Sequence, residues 1–301
     1  TPLCAERMVA SFAEAGLPEG VFQYLHMSHT DTEALIQRPG IAHVAFTGSV
    51  AGGEMVEKAA AGRFIATGLE LGGKDPAYVR ADADLAQAVE TLVDGAFFNS
   101  GQSCCGIERI YVHEDLYDEF VELAVSLVGH YKLGRSDDPE TTLGPVVRPE
   151  AAAFVRGQIA EDVAQGAQAH IDPDDFPLSR SGSAYLAPQV LTGVNHGMRV
   201  MTEESFGPVV GIQKVSSDAE AIALMNDSEY GLTAAIFSRD VDTALALADR
   251  IKAGTVFLNR CDYLDPALAW TGVKNSGRGC TLSSVGYEYV TRPKSFHFKI
   301  L

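Results

Sequence analysis

Apolar residues recur along the chain at helical spacing in some stretches and at strand spacing in others, and the two patterns alternate. Thr1-Pro2 opens a run with Leu3, Met8, Val9 and Phe12 on one face that stops at Gly16, which predicts a capped helix. Leu17-Pro-Glu-Gly20 predicts a turn into a strand over 21–25, followed by a short helix over 31–37 with Thr30 as its cap. His43-Val-Ala-Phe46 reads as a buried strand leading through Thr47-Gly48-Ser49 to a helix over 50–61, and a second strand over 64–71 ends on Glu70.

Leu85, Ala88, Val89, Leu92, Val93, Ala96 and Phe97 mark a buried helix over 82–98. Beyond it the pattern predicts strands over 109–113, 185–191, 208–215, 232–237 and 255–259, and helices over 116–131, 149–165, 218–226 and 240–252. Polar stretches bearing Pro and Gly over 133–145 and 170–183 read as loops. Strands alternating with helices predict an α/β sheet. The tail, 294–300, alternates polar and apolar residues and predicts an edge strand, of the kind that finds a partner chain. No internal repeat or low-complexity tract is present.

With 301 residues, 46% of them hydrophobic, the chain can bury a large core, as two domains or one large one. A net charge of −17 and the lack of any Lys/Arg run longer than two argue against nucleic acid or an anionic membrane as a partner. Five cysteines give neither a disulfide framework nor metal-ligand spacing and fit a reducing cytoplasm. The eight histidines show no ligand pattern, His26 and His29 falling in an expected solvated loop, so no metal is invoked. No apolar run approaches the roughly 18 to 20 residues that span a bilayer. The first residue is Thr1 rather than Met, which suggests a processed chain or a piece of a longer one.

The candidate chemistry centres on Phe97-Phe-Asn-Ser-Gly-Gln-Ser-Cys104-Cys105-Gly106. The Gly101-Gln-Ser interruption sets Cys104 at the seam between a buried helix and a strand, where a thiol can point into a cleft; the plainer alternative is a buried structural cysteine. Upstream, Leu69-Glu70-Leu71-Gly72-Gly73-Lys74 places a carboxylate between leucines, where poor solvation should raise its pKa toward that of a general base. The alternative is a strand end with Glu70 facing solvent. Phe46-Thr-Gly-Ser49 with Gly53 joins a strand to a helix N-terminus, where unpaired N–H groups suit a phosphate, although many tight turns look the same.

Taken together, these segments and Glu203-Glu204-Ser-Phe206-Gly-Pro208 resemble four signatures of the aldehyde dehydrogenase superfamily, in the family's order. The resemblance runs over essentially the whole chain but corresponds to the later three fifths or so of a family member. It implies a Rossmann-type cofactor-binding part over 1–72, an α/β catalytic domain over 73–273, and a return segment with an oligomerisation strand over 274–301. It implies Cys104 as the nucleophile that adds to an aldehyde, the Cys104 N–H as half of an oxyanion hole, and Glu70 as the base that activates water against the thioester. Cys105 reads as packing. NAD or NADP would be held by Thr47, Gly48, Ser49, Gly53, Leu71, Glu204 and Phe206, with Ser49 on the pyrophosphate. Phe98 and Trp270 match positions lining the substrate entrance, with core aromatics as the alternative. The implied partner is a small-molecule aldehyde, and the implied assembly a cytoplasmic homodimer or homotetramer.

Departures from the family pattern stand at Ala269-Trp270-Thr271-Gly272, in place of Pro-Phe-Gly-Gly, and at Thr281, where a glutamate is often found. An Asn completing the oxyanion hole and a Lys binding the adenosine ribose belong upstream of Thr1. Two rival readings remain at this point: an enzyme passing its acyl group to coenzyme A, and a protein that keeps the fold for binding alone.

Overall fold

The strands that carry the architecture are short and mostly apolar, and each is entered or left through a turn rich in Gly, Asp or Ser. In the computed structural model, which describes residues 2–301, they are β1 (His43–Thr47), β2 (Ala66–Glu70), β3 (Asp75–Val79), β4 (Ile107–His113), β5 (Gln168–Ala169), β6 (Gln189–Thr192), β7 (Val209–Val215), β8 (Thr233–Phe237), β9 (Thr255–Leu258) and β10 (Gly277–Arg278). The helices are α1 (Pro2–Glu14), α2 (His29–Ile36), α3 (Val50–Ala60), α4 (Leu85–Phe97), α5 (Tyr117–Gly129), α6 (Pro149–Ala164), α7 (Arg199–Thr202), α8 (Asp218–Asn226), α9 (Val241–Ala248) and α10 (Ser283–Tyr289). Ser28, Ser49, Asp84, Ser217 and Asp240 cap helices by accepting from the N–H three residues on.

Seven strands form one sheet in the order β5-β6-β7-β4-β3-β8-β9, parallel except where β5 meets β6. Strand alternation divides its side chains between two cores. Ala77, Val79, Ile110 and Phe237 pack under α4 and α5 with Leu92, Phe97, Phe120 and Val128. Tyr78, Tyr111 and Ile236 face the other way, toward Val155, Met201, Ile222 and Leu247. Each fully buried side chain of this size contributes about 1.5–3 kcal/mol, so a sheet covered on both faces is the stable arrangement for nearly unbroken apolar strands.

The smaller sheet has the order β1-β2-β10. β1 and β2 run parallel, and β10 returns antiparallel with Gly277 opposite Glu70. Leu69 and Leu71 pack beneath α3 against Val56, Ala59 and Ala60.

Several expectations need correction. The central strand β3 was not foreseen, because Asp75 and Pro76 disguise its start. Pro76 is tolerated at a register irregularity between Asp75 and Pro76, and Asp75 Oδ2 accepts from the N–H (3.0 Å) and hydroxyl (2.5 Å) of Thr233, tying β3 to β8. Residues 21–25 and 294–300 are not strands: no strand of the described residues lies beside them, and an unpaired extended segment has no ladder to join. The oligomerisation strand expected within 274–301 is thus absent from the single chain: after β10 and α10 its end is irregular, with Phe296, Phe298 and Ile300 exposed. α2 starts earlier than expected, with Ser28 rather than Thr30 as its cap, and the expected strand over 185–191 is confined to β6. Thr1, expected to help cap α1, lies outside the described residues. Among those residues no helix is long and apolar enough to cross a membrane.

Gly277 sits at φ +112°, and a Cβ there would run into the carbonyl of Leu69. Gly277→Ala should therefore destabilise the fold by about 2–3 kcal/mol in denaturant titrations, with amide exchange rising first at Arg278.

Candidate active site

The loop after α4 is shaped by its own side chains. Asn99, Ser100 and Gly101 take φ of 50°, 59° and 71° in succession, reversing the chain before β4. The Asn99 amide donates to the Gln102 carbonyl and the Gln102 amide to the Asn99 carbonyl, each at 3.0 Å. Ser100 Oγ donates to the Gly144 carbonyl (2.8 Å), and Gln102 Oε1 accepts from the Val147 N–H (2.7 Å). Gly101 is required because a Cβ would collide with the Gly207 backbone.

Cys104, half-buried, follows this clasp. The adjoining Cys105 thiol draws the Cys104 thiol below the ordinary value, against burial and the negative charge of Asp262 and Glu204. Cys105 is buried and its own thiol is pushed up by its neighbour Cys104, by burial and by Asp262. Its S–H donates to Asp262 Oδ1, 2.8 Å away. No backbone acceptor among the described residues takes the Cys104 N–H.

Glu70 ends β2 and is half-buried. The expectation that its neighbouring leucines desolvate it fails on strand geometry. Side chains alternate, so Leu69 and Leu71 turn under α3 while Glu70 faces the opposite side. There its Oε1 accepts from the Thr281 hydroxyl at 2.7 Å. Thr281 exchanges backbone hydrogen bonds with Trp270 (2.8 and 2.9 Å), and Trp270 packs with Cys105, Leu232 and Cys104. Thr281 and Trp270 thus link the two segments singled out in the sequence.

Gly72 and Gly73 bind the cleft together. A Cβ on Gly72 would strike the Glu204 carboxylate, and one on Gly73 the Cys104 carbonyl. Glu204 Oε1 accepts from the Gly73 N–H at 2.9 Å. Its carboxyl is pushed up to about 7 by burial first and by the charge of Glu108 second. The irregular segment 203–208 is held by Glu108, whose Oε2 meets Lys74 Nζ at 2.5 Å and the Ser205 N–H at 2.8 Å, and whose Oε1 accepts from the Phe206 N–H at 2.9 Å. Phe206 is thus fixed at φ 48° with its ring part-exposed. Burial draws Lys74 below the ordinary lysine value, Glu108 opposing the shift.

At the proposed phosphate loop, Thr47 lies opposite Glu70 in the β1–β2 ladder and the Gly48 N–H is bonded to the Glu70 carbonyl (3.0 Å). Gly48 therefore shapes the turn rather than offering a donor. Ser49 caps α3, and Gly53 lets that helix close on Leu71, where a Cβ would come within 2.7 Å of the leucine methyls. Beside this N-terminus, α2 and α3 enclose a groove of about 410 Å³ lined by His29, Glu33, Ile36, Phe46, Ser49 and Val56 among others. Sequence reading missed the contribution of α2, having put His29 in a loop; it is the first residue of that helix. Phe98 is 61% exposed at the end of α4, whereas Trp270 is 6% exposed against the cysteines. Lys74, Glu108 and Asp262 were not anticipated, and the only available signal was charge interrupting otherwise apolar segments. Among the described residues no group of three His, Cys, Asp or Glu could hold a metal ion.

The family model described as aldehyde dehydrogenase family matches residues 1–296. An aldehyde dehydrogenase of Paenarthrobacter nicotinovorans is 38% identical over 285 residues, 95% of this chain and 62% of that protein. Among solved structures, succinic semialdehyde dehydrogenase from Streptococcus pyogenes in complex with NADP+ superposes with a TM-score of 0.90 at 33% identity, covering 96% of this chain and 63% of that one. A double mutant of betaine aldehyde dehydrogenase from Staphylococcus aureus in complex with NAD+ gives 0.89 at 33% identity, covering 96% and 58%. The chain spans about 60% of the length of the curated relatives it matches.

Because the Glu204 carboxyl titrates higher in the fold than its ordinary 4.5, its contribution is most favourable at low pH and is lost as pH rises from 4.5 through about 7. Glu204→Gln should remove this dependence. It should stabilise the chain by about 1–3 kcal/mol at pH 8 and by little at pH 5, read as thermal midpoints at the two pH values.

Proposed function

Since the chain belongs to the aldehyde dehydrogenase family, we propose that its protein oxidises a small-molecule aldehyde to the carboxylic acid, with NAD or NADP as hydride acceptor and Cys104 as nucleophile. The observation that carries this reading is the approach of the Glu204 carboxylate and the Cys104 backbone to Gly72-Gly73, the two glycines that follow Glu70-Leu71.

The residues present suit a dinucleotide. A capped helix N-terminus opens beside a largely apolar groove large enough for a purine, and an unpaired carboxylate oxygen of Glu204 stands at the other end of the site. Ser49 and the first amides of α3 would meet the pyrophosphate, Thr47, Gly48, Gly53 and Leu71 would shape the passage, and Glu204 and Phe206 would meet the nicotinamide ribose and ring. A bound nicotinamide would supply the acceptor for hydride.

The chain's own residues do the rest. Cys104 sulfur adds to the aldehyde carbon, and the carbonyl oxygen gathers negative charge within reach of the free Cys104 N–H. Loss of hydride and a proton leaves the acyl group on sulfur as a thioester. Glu70 takes a proton from water, the resulting hydroxide adds to the thioester carbon, and the thiolate leaves with the carboxylic acid as product. Thr281 steadies Glu70 for this step by its hydrogen bond, but it is not itself a base that could hold the proton as a carboxylate in its place could.

The division into a cofactor-binding part over 1–72, a catalytic part over 73–273 and a return segment over 274–301 is supported by the two separate sheets and by β10 rejoining the smaller one. The exposed alternating tail over 294–300 favours strand pairing with a second copy, and five free cysteines favour a reducing cytoplasm. Solved relatives at the same 33% identity are described with different aldehydes and different cofactors, so similarity alone does not select either.

In the complete gene product, Cys104→Ala should lower aldehyde-dependent cofactor reduction at least about 10³-fold. Glu70→Gln should keep a single rapid turnover and then stall, with the acyl group found on Cys104 by mass spectrometry. Full steady-state activity in the Cys104 variant would overturn the proposal.

A further inference from the structure

The nucleophile loop rests against a carboxylate that the mechanism above does not use. Asp262 Oδ1 accepts from Cys105 Sγ at 2.8 Å and from Ser103 Oγ at 3.3 Å, the side chains on either side of Cys104. The chain leaving β9 takes left-handed values twice to bring it there, φ 55° at Asn259 and 46° at Asp262, which non-glycine residues adopt at a cost. Asn259 is held in that conformation by its Oδ1 and Nδ2 bonds to Ser238.

Asp262 is half-buried and takes part in no salt bridge among the described residues. The cation nearest in sequence, Arg260, is turned away over the Tyr263 ring, its guanidinium carbon 3.5 Å from the centroid. The second oxygen, Oδ2, accepts no hydrogen bond from the described residues. Glu204, the other carboxylate felt by the thiol, is bonded to the Gly73 N–H and, with its carboxyl pushed up to about 7, carries only part of its charge at pH 7. The Ser103 and Cys105 bonds occupy Oδ1 alone; a fixed negative charge beside the sulfur works against the thiolate, and Oδ2 is left to answer a cation that approaches it.

We infer that Asp262 determines specificity, selecting aldehydes that carry a positive charge, such as an aminoalkyl or quaternary ammonium group, over aldehydes that carry a carboxylate. The inference rests on Cys104 being the reactive nucleophile of the cleft. A unit charge several ångströms from Asp262 in a partly solvated site would gain or lose about tenfold in encounter with the sulfur, according to its sign.

The test needs no turnover and uses the chain itself at pH 7. Cys104 is modified with 2-(trimethylammonio)ethyl methanethiosulfonate and with 2-sulfonatoethyl methanethiosulfonate, and rates are read by peptide mass spectrometry, the exposed Cys4 serving as reference for the overall negative charge. The cation-to-anion rate ratio should be at least about tenfold larger at Cys104 than at Cys4 and should shrink as salt is raised to 0.5 M. Asp262→Asn should bring it to within about threefold of the Cys4 ratio, and Glu204→Gln should leave it in place. A reactive Cys104 with no bias, or with a bias that Asp262→Asn leaves unchanged, overturns the inference alone. A Cys104 inert to both reagents overturns the catalytic reading, and the inference with it.

Discussion

The cleft depends on one buried ion pair. Lys74 and Glu108 are almost wholly removed from water, and each would be costly there alone. Glu108 satisfies the Lys74 ammonium and two consecutive backbone N–H groups, so a single carboxylate joins the residue after β2 and its two glycines, the start of β4 and the stretch that carries Glu204 and Phe206. Arg109, next in the chain, donates to the Lys74 carbonyl and to the last carbonyls of α8, extending the same tie into the larger sheet. Such a network does little for net stability compared with apolar packing, but it allows only one relative placement of the segments it joins.

Close backbone approach is the second constraint. Gly72, Gly73, Gly101 and Gly277 each stand where a methyl group would meet a carbonyl or a carboxylate, and together they draw β2, the Cys104 loop, the 203–208 stretch and β10 to within one side chain of each other. Around these approaches stand a sulfur whose pKa its neighbour Cys105 lowers, a carboxylate that accepts from Thr281, and a second carboxylate with a raised pKa.

Much of this was legible in the sequence. Helix α4 has strong periodicity and the Asp84 cap, α6 is marked by a leading Pro149 and α8 by the Ser217 cap, and the parallel strands β4, β7, β8 and β9 are apolar enough to be read directly. β3 was not, because Asp75 and Pro76 are strand-averse unless a partner residue, here Thr233, lies across the ladder. Residues 21–25 and 294–300 have strand-like composition, but strand formation is a property of pairs, and composition cannot report a missing neighbour. Glu70 stands out in the sequence as a carboxylate between leucines, but its environment is misjudged if adjacent residues are treated as sharing a face. Lys74, Glu108 and Asp262 act through contacts about 34 to 160 residues away in sequence, which a one-dimensional pattern does not hold.

Ser276 Oγ donates to the Gly72 carbonyl across 204 residues of chain, and β10 pairs with β2 over the same span. During synthesis the Cys104 loop leaves the ribosome with its α4–β4 unit long before β10 exists, so Gly72 and the end of β2 have no partner there until nearly all of these residues have emerged. The smaller sheet is in this way closed by the last contacts the polypeptide makes, and a chain interrupted before residue 276 would carry the Cys104 loop beside an uncovered edge of β2.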